Sequence, residues 1–316
     1  MSDHFIALSG GVGGAKLALG LANVLAPEDL TIVANTGDDF VHLGLHIAPD
    51  LDTVMYTLAG VSNTETGWGR AGETWNFMAA LGELGGETWF NLGDKDLATH
   101  LERAERLRGG ESLSQVTSAI SKALGIKHAV VPMSDDPVRT IIVTADGDLA
   151  FQHYFVRERC EPRITAVRFD GAETARPAPA FLQALEDRNL AGVIICPSNP
   201  YVSVDPILAL PGIRETLRDI AAPVVAVSPI VKGMAIKGPA AKMMAELGME
   251  ASVETVARHY QGLVDGLVID TEDADARAAV EGLGMRALVT NTIMKTLEDR
   301  TDLARACIDF SKQLWT

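Results

Sequence analysis

The chain has 316 residues, 47% of them apolar, and a formal net charge of -15. That apolar content suffices for a core and excludes a disordered chain, and the length fits one large α/β domain or one domain with an insertion. The acidic balance argues against a nucleic-acid polymer or an anionic membrane as main partner, while a small anionic ligand can still be met by local lysines, backbone N–H groups or a divalent cation.

In chain order, the run Phe5-Ile6-Ala7-Leu8 reads as a strand and a helical pattern runs from Leu17 to Leu25. Between them lies Ser9-Gly10-Gly11-Val12-Gly13-Gly14-Ala15-Lys16. Strand, glycine turn and helix is the arrangement in which unpaired N–H groups and a positive dipole end meet an anion, so a phosphorylated ligand is expected here. The turn is neither a dinucleotide fingerprint, because Lys16 replaces the third glycine, nor a Walker loop, because Leu17 follows the lysine. A tight turn without a ligand is the alternative reading.

A second strand, Thr31-Ile32-Val33-Ala34, leads into Asn35-Thr36-Gly37-Asp38-Asp39, and Pro49-Asp50-Leu51-Asp52 opens a helix. Four acids within fifteen positions, near an anion turn, suggest Mg²⁺ held by one or two carboxylates together with substrate oxygens. As a bland alternative, Asp52 serves as a helix cap. Residues 62–125 read as helices with aromatics (Trp68, Trp75, Phe77, Trp89, Phe90) and no clear strand, an insertion beside the sheet that offers a wall to a planar ligand. Lys95, between Asp94 and Asp96, fits a solvated charge cluster as well as a site.

The sheet resumes at Ala129–Pro132, followed by Met133-Ser134-Asp135-Asp136. Runs at Val138–Thr144 and Leu149–Phe155 flank Ala145-Asp146-Gly147-Asp148, a hairpin signal. Further strands are expected at Ile164–Phe169, Gly192–Cys196, Val224–Val227, Gly266–Asp270 and Arg286–Thr290, with a C-terminal helix from about Thr301-Asp302. Pro197-Ser198-Asn199-Pro200 forms a rigid polar turn, and Lys232, Lys237 and Lys242 present a candidate anion clamp. The alternation predicts an α/β fold, a Rossmann-like, mostly parallel doubly wound sheet with a helical insertion. Cys160, Cys196 and Cys307 show no disulfide or metal spacing. With no signal-peptide pattern and no apolar run of about 18 residues, a cytoplasmic protein is expected.

Seven segments in order resemble the 2-phospho-L-lactate transferases of coenzyme F(420) biosynthesis: residues 9–16, 35–39, 49–54, 92–100, 132–138, 197–200 and 227–231. The resemblance spans nearly the whole chain. It implies one Rossmann-like transferase domain over 1–316, with 62–125 forming part of the site for FO, a deazaflavin with a ribityl tail. It also implies Mg²⁺, a guanosine diphosphate ester of lactate, enolpyruvate or a related acid as donor, and GMP as product. Residue by residue, Asp50 and Asp52 match the acidic pair that binds metal or FO, and Asp38 and Asp39 share that task or accept the hydroxyl proton. Lys95 matches a basic position at the FO site. Gly10, Gly11, Gly13, Gly14 and Lys16 are expected to face phosphate, Ser198 and Asn199 the guanosine, and Ser134, Asp135 and Asp136 either substrate. The apolar C-terminal helix is consistent with a homodimer.

The glycine turn and the 35–39 segment are also similar to a sister group of nucleotide-sugar-binding regulators of cell-wall metabolism, a non-enzymatic alternative. The segment at 49–54 and the aromatic insertion favour the transferase.

Overall fold

The computed structural model describes residues 3–236 and 238–315. Seven strands form the central sheet: β1 (His4–Ser9), β2 (Leu30–Ala34), β3 (Ala129–Pro132), β4 (Leu190–Ile195), β5 (Val224–Val227), β6 (Gly266–Asp270) and β7 (Arg286–Thr290). Their spatial order is β7-β6-β5-β4-β1-β2-β3, and every neighbouring pair is parallel. The strands are rich in Val, Ile, Leu and Ala, and β1, β2, β5 and β6 are buried along their whole length, as a parallel sheet between helical layers requires. In β1, Phe5 and Ala7 enter one core while Ile6 and Leu8 enter the other.

One face is covered by helices α1 (Gly11–Val24), α2 (Pro49–Leu58) and the C-terminal helix Leu297–Leu314. The opposite core holds Phe181, Ile213, Leu217, Met243 and Val256 from shorter helices later in the chain. The chain adds strands outward on one side (β1 to β3), then returns to the centre and adds them on the other (β4 to β7). The reversal falls between β1 and β4, and the crevice beyond their C-terminal ends is where such sheets bind ligands.

Within the stretch expected to be a helical insertion, α3 (Asn76–Glu83) and α4 (Asp94–Arg108) surround a small separate core of Phe40, Leu45, Ile47, Met78, Leu92 and Ala104. The third helix, α5 (Leu113–Ala123), instead buries Leu113, Val116 and Ile120 in the core of the sheet. Ser112 caps it through a capping box with Gln115. A short antiparallel hairpin, Phe40–His42 with Leu45–Ile47, carries the loop after β2 toward this small core. Its two-residue turn places Leu43 at φ 52° and Gly44 at φ 74°, the geometry of a primed hairpin turn.

Three boundaries differ from those read in the sequence. Helix α1 begins at Gly11, so three glycines form its first turn. The run expected as a strand over Leu149–Phe155 ends at Ala150 and continues as helical turns, because Phe151, Tyr154 and Phe155 satisfy helical spacing and the Phe151 and Phe155 rings stack at 5.5 Å. The C-terminal helix starts at Leu297, one turn before Thr301, because Thr296 and Asp299 make a capping box. Its apolar face, with Leu303, Ala304 and Cys307, is buried in the chain's own core.

Candidate active site

The glycine turn after β1 packs against the turn after β4 with almost no space between them. Gly10 N–H donates to Ser198 Oγ (3.2 Å), and that hydroxyl donates to Gly10 O (2.8 Å). A Cβ on Gly13 would stand 2.2 Å from Pro197 O, and one on Gly10 would stand 2.6 Å from Ser203 Cβ. Gly11 is different: it has open space around it but takes φ +63°, a conformation that disfavours side chains. So the glycines first serve the closure of two loops, and Gly11 serves the turn.

Asp50, in the first turn of α2, faces this turn. Its Oδ1 accepts the Gly11 N–H at 2.7 Å, and its Oδ2 accepts Asn35 Nδ2 at 2.9 Å. Asn35 Oδ1 in turn accepts the Gly37 N–H (2.8 Å), which shapes the loop carrying Asp38 and Asp39. All three carboxylates are buried. Burial, then the charges of Asp50 and Asp39, hold the Asp38 pKa well above the usual range. Burial pushes Asp50 up to about 6 against the hydrogen bonds from Asn35 and Gly11. Asp39 is also raised by burial, opposed chiefly by His46, whose Nε2 lies 2.9 Å from Asp39 Oδ2.

Around these acids, Ser9 Oγ, Thr36 Oγ1, Asp38 Oδ1, Asp39 Oδ1 and Thr140 Oγ1 are buried without a hydrogen-bond partner. Buried polar oxygens are rarely left so. A cluster of carboxylates that cannot all ionise in a dry site, fringed by hydroxyls, is an all-oxygen donor set of the kind a hard divalent cation takes. Their oxygens are the donor type Mg²⁺ takes, but among the described residues the three side chains whose ligand atoms lie within 4.8 Å of one another are Asp52, Asp96 and His100.

Asp52 stands two positions along α2 from Asp50 and points elsewhere. Its carboxylate is gripped by both Arg103 nitrogens, Nη2 on Oδ1 and Nη1 on Oδ2 at 3.1 Å. Arg103, in α4, is 1% exposed. Nη1 also meets His100 Nδ1 and His46 O, each at 3.3 Å. An arginine only donates, so His100 Nδ1 accepts and its proton sits on Nε2, 3.4 Å from Asp96 Oδ2. Tyr56 OH donates to Asp96 Oδ1 at 2.6 Å. Asp52, Asp96 and His100 bring one ligand atom each within 4.8 Å of one another and could hold a metal ion. The guanidinium already neutralises Asp52 there: burial alone would depress Arg103, but Asp52 more than offsets it and raises its pKa.

The remaining candidates are each held by partners of their own. Lys16 Nζ donates to Met294 O (3.0 Å), and Lys95 Nζ to Gly72 O (2.7 Å). Ser134 Oγ donates to Arg176 O (2.7 Å), while Asp135 Oδ1 accepts the Ser114 N–H (2.6 Å) in the first turn of α5. Asn199 caps the following turn through the Tyr201 N–H (3.0 Å). Of the three later lysines, Lys232 pairs with Glu272 and Lys242 with Glu246 (2.6 Å), and Lys237 lies outside the described residues. Residues without a role in the sequence reading are Asn35, His46, His100 and Arg103. Positions 96, 100 and 103 share one helical face, so their spacing was a usable signal. Among the described residues, no helix is long and apolar enough to cross a membrane.

Fold and crevice together define a Rossmann-like α/β protein with a cluster of buried acids at the reversal point of its sheet. The chain belongs to the 2-phospho-L-lactate transferase CofD family, whose model matches residues 5–291. It is 43% identical to a phosphoenolpyruvate transferase of Kitasatospora aureofaciens, covering 98% of each chain. It is 40% identical to a 2-phospho-L-lactate transferase of Methanosarcina mazei, covering 96% of this chain and 99% of that one. In fold it is similar to a UPF0052-family protein of Bacillus halodurans, with TM-score 0.64, 16% identity and 98% and 99% of the two chains covered. Family membership supports transferase activity within coenzyme F(420) biosynthesis.

Proposed function

We propose that the protein transfers a phospholactyl or phosphoenolpyruvyl group from a guanosine diphosphate ester to the terminal ribityl hydroxyl of FO, releasing GMP. The observation that supports this most is the cluster of Asp38, Asp39 and Asp50 beneath the glycine turn, at the reversal point of the sheet in a chain whose relatives are named as such transferases. The hydroxyl oxygen forms a bond to the distal phosphorus, and the bond from that phosphorus to the bridging oxygen breaks, its electron pair leaving with GMP. No covalent enzyme intermediate is needed, so the protein's task is positioning and electrostatics.

Asp50 with the free oxygen of Asp38 would hold Mg²⁺, which when bound supplies positive charge against the diphosphate. Asp52, the other member of the pair at 49–54, braces α2 on α4 through Arg103. The hydroxyls of Ser9 and Thr36, buried and unpartnered, line the same crevice. In this reading Ser198 and Asn199 border the guanosine side, and Lys95 and the aromatic residues of 62–125 border the deazaflavin. Family membership favours this enzyme over the non-enzymatic regulator reading.

The test is direct. Purified protein, Mg²⁺, FO and a guanosine diphosphate ester should yield an FO phosphodiester by mass spectrometry and GMP by chromatography. Absence of both products with the lactyl, enolpyruvyl and glyceryl donors alike would overturn the reading.

A further inference from the structure

A transfer without a covalent enzyme intermediate depends on where the groups of the crevice are held. One buried side chain bonds to each of the segments that meet there. Asn35 directly follows β2, and its N–H donates to Ser9 O at 2.9 Å, which ties it to the end of β1. Its Nδ2 donates to Asp50 Oδ2 (2.9 Å) in the first turn of α2 and to Val202 O (3.3 Å) in the helical turn Pro200–Val204 after β4. Its Oδ1 accepts the Gly37 N–H (2.8 Å), at the turn that carries Asp38 and Asp39. Only an amide meets this set of demands. Gly37 N–H can only donate, and a carbonyl and an ionised carboxylate can only accept, so the amide has a single orientation with both its hydrogens engaged. A carboxylate in its place would lose both donors and set a second negative charge against Asp50. An aliphatic side chain would leave the Gly37 N–H and one Asp50 oxygen buried without a partner.

Resting on the transferase reading above, we infer that Asn35 is a positioning residue of the transfer, whose amide fixes the Asp50 carboxylate beneath the glycine turn and, through Gly37, the loop that carries Asp38 and Asp39. It touches no reacting atom and acts through these groups. The Asp50 carboxylate is held at both oxygens, by Gly11 N–H on Oδ1 (2.7 Å) and by Asn35 on Oδ2. Without Asn35 the Gly11 bond alone remains, and the carboxylate can pivot about Oδ1. The Val202 bond ties the same amide to the turn whose Ser203 packs on Gly10, so Asp50 and the locked glycine turn share one reference point. A displacement of about 1 Å in such an arrangement costs about 10²-fold in rate.

Kinetics and amide NMR test this together. In Asn35→Asp, kcat should fall by about 10²-fold while the KM for donor and acceptor changes little, at a temperature where circular dichroism shows the variant folded. The amide signals, which need no turnover, should separate in the same variant. The new carboxylate still accepts the Gly37 N–H, so that signal and its hydrogen-exchange protection should hold, while those of Gly11 move with Asp50. Asn35→Ala adds no charge and serves if the first variant does not fold; in it both amides should move and kcat should again fall. Near-normal kcat in a folded variant, or a loss matched by its unfolded fraction, would overturn the assignment and leave the transferase reading standing. A Gly11 amide that does not respond in either variant would overturn it whatever the turnover. A wild-type protein that makes no FO adduct defeats the transferase reading and, with it, the positioning role.

Discussion

Gly13 and Pro197, which are 184 positions apart, approach so closely that a methyl group on the glycine would sit 2.2 Å from the proline carbonyl oxygen. The turn after β1 and the turn after β4 are therefore one unit, and the crevice exists only while they are locked. Gly13→Ala should destabilise the protein by about 1–3 kcal/mol or more through overpacking against a backbone atom that cannot swing away. Gly11→Ala should be milder, about 1–2 kcal/mol, because only its φ of +63° is strained and the added methyl meets nothing. Urea titration of both variants checks the order; equal losses would mean that the contact does not govern this turn.

Arg103 and Asp52 form the second lock, between α4 and α2. Removing one partner of a buried pair strands the other charge, so Arg103→Met should cost about 3–5 kcal/mol. The double variant Arg103→Met/Asp52→Asn should recover much of that loss, since no bare carboxylate remains. A thermodynamic cycle from chemical denaturation gives the coupling. Strictly additive losses would show that the pair does not interact in solution.

Much of this architecture was legible in the sequence. Strands buried on both faces announce themselves as unbroken apolar runs, so β5 and β6 lie where expected, and the polar turns after strands were correctly placed on one edge of a parallel sheet. Side-chain direction was not legible. Asp50 and Asp52 look alike in sequence, yet two positions on a helix is over half a turn, and only the tertiary fold says that one meets Gly11 and the other Arg103. His46 was hidden for a different reason. Its hairpin turns through a leucine at positive φ, which no turn pattern selects, and its carboxylate partner lies across that turn. Lys16 sits beside the anion turn in sequence, but its amine reaches Met294 O, 278 positions away.

Acidity supplies a prediction with a definite sign. Asp50 titrates near 3.8 when unfolded and at about 6 in the folded protein. Between those values the folded state binds more protons, so its stability falls as pH rises. That contribution is fully present below about pH 4, is lost progressively through about pH 6, and amounts to no more than about 3 kcal/mol. Asp38 and Asp39, raised as well, act in the same direction. Asp96 and Asp270 are lowered and act oppositely, below the ordinary carboxylate range. Thermal melts in a metal chelator from pH 4.5 to 7.5 should show the decline, and Asp38→Asn should flatten it while raising the melting temperature at the upper end. A melting temperature that climbs steadily across this window would contradict the buried acid cluster.

The two acid groups of the molecule make different demands on a cation, which allows the metal site to be located by substitution. The crevice group is all oxygen, with unpartnered atoms on Asp38, Ser9 and Thr36, and suits Mg²⁺. The Asp52, Asp96 and His100 group includes a ring nitrogen and already carries a guanidinium, a poor match for a hard ion that prefers oxygen. Asp50→Asn and Asp38→Asn should therefore abolish Mg²⁺-dependent turnover and the heat of Mg²⁺ binding in calorimetry, with circular dichroism unchanged. His100→Gln should retain Mg²⁺ binding within a few-fold while losing stability, because its role is to seat Arg103 and Asp96. If His100→Gln lost the ion and Asp50→Asn kept it, the cation would belong to the group bridging α2 and α4, and the crevice acids would need another explanation for their burial.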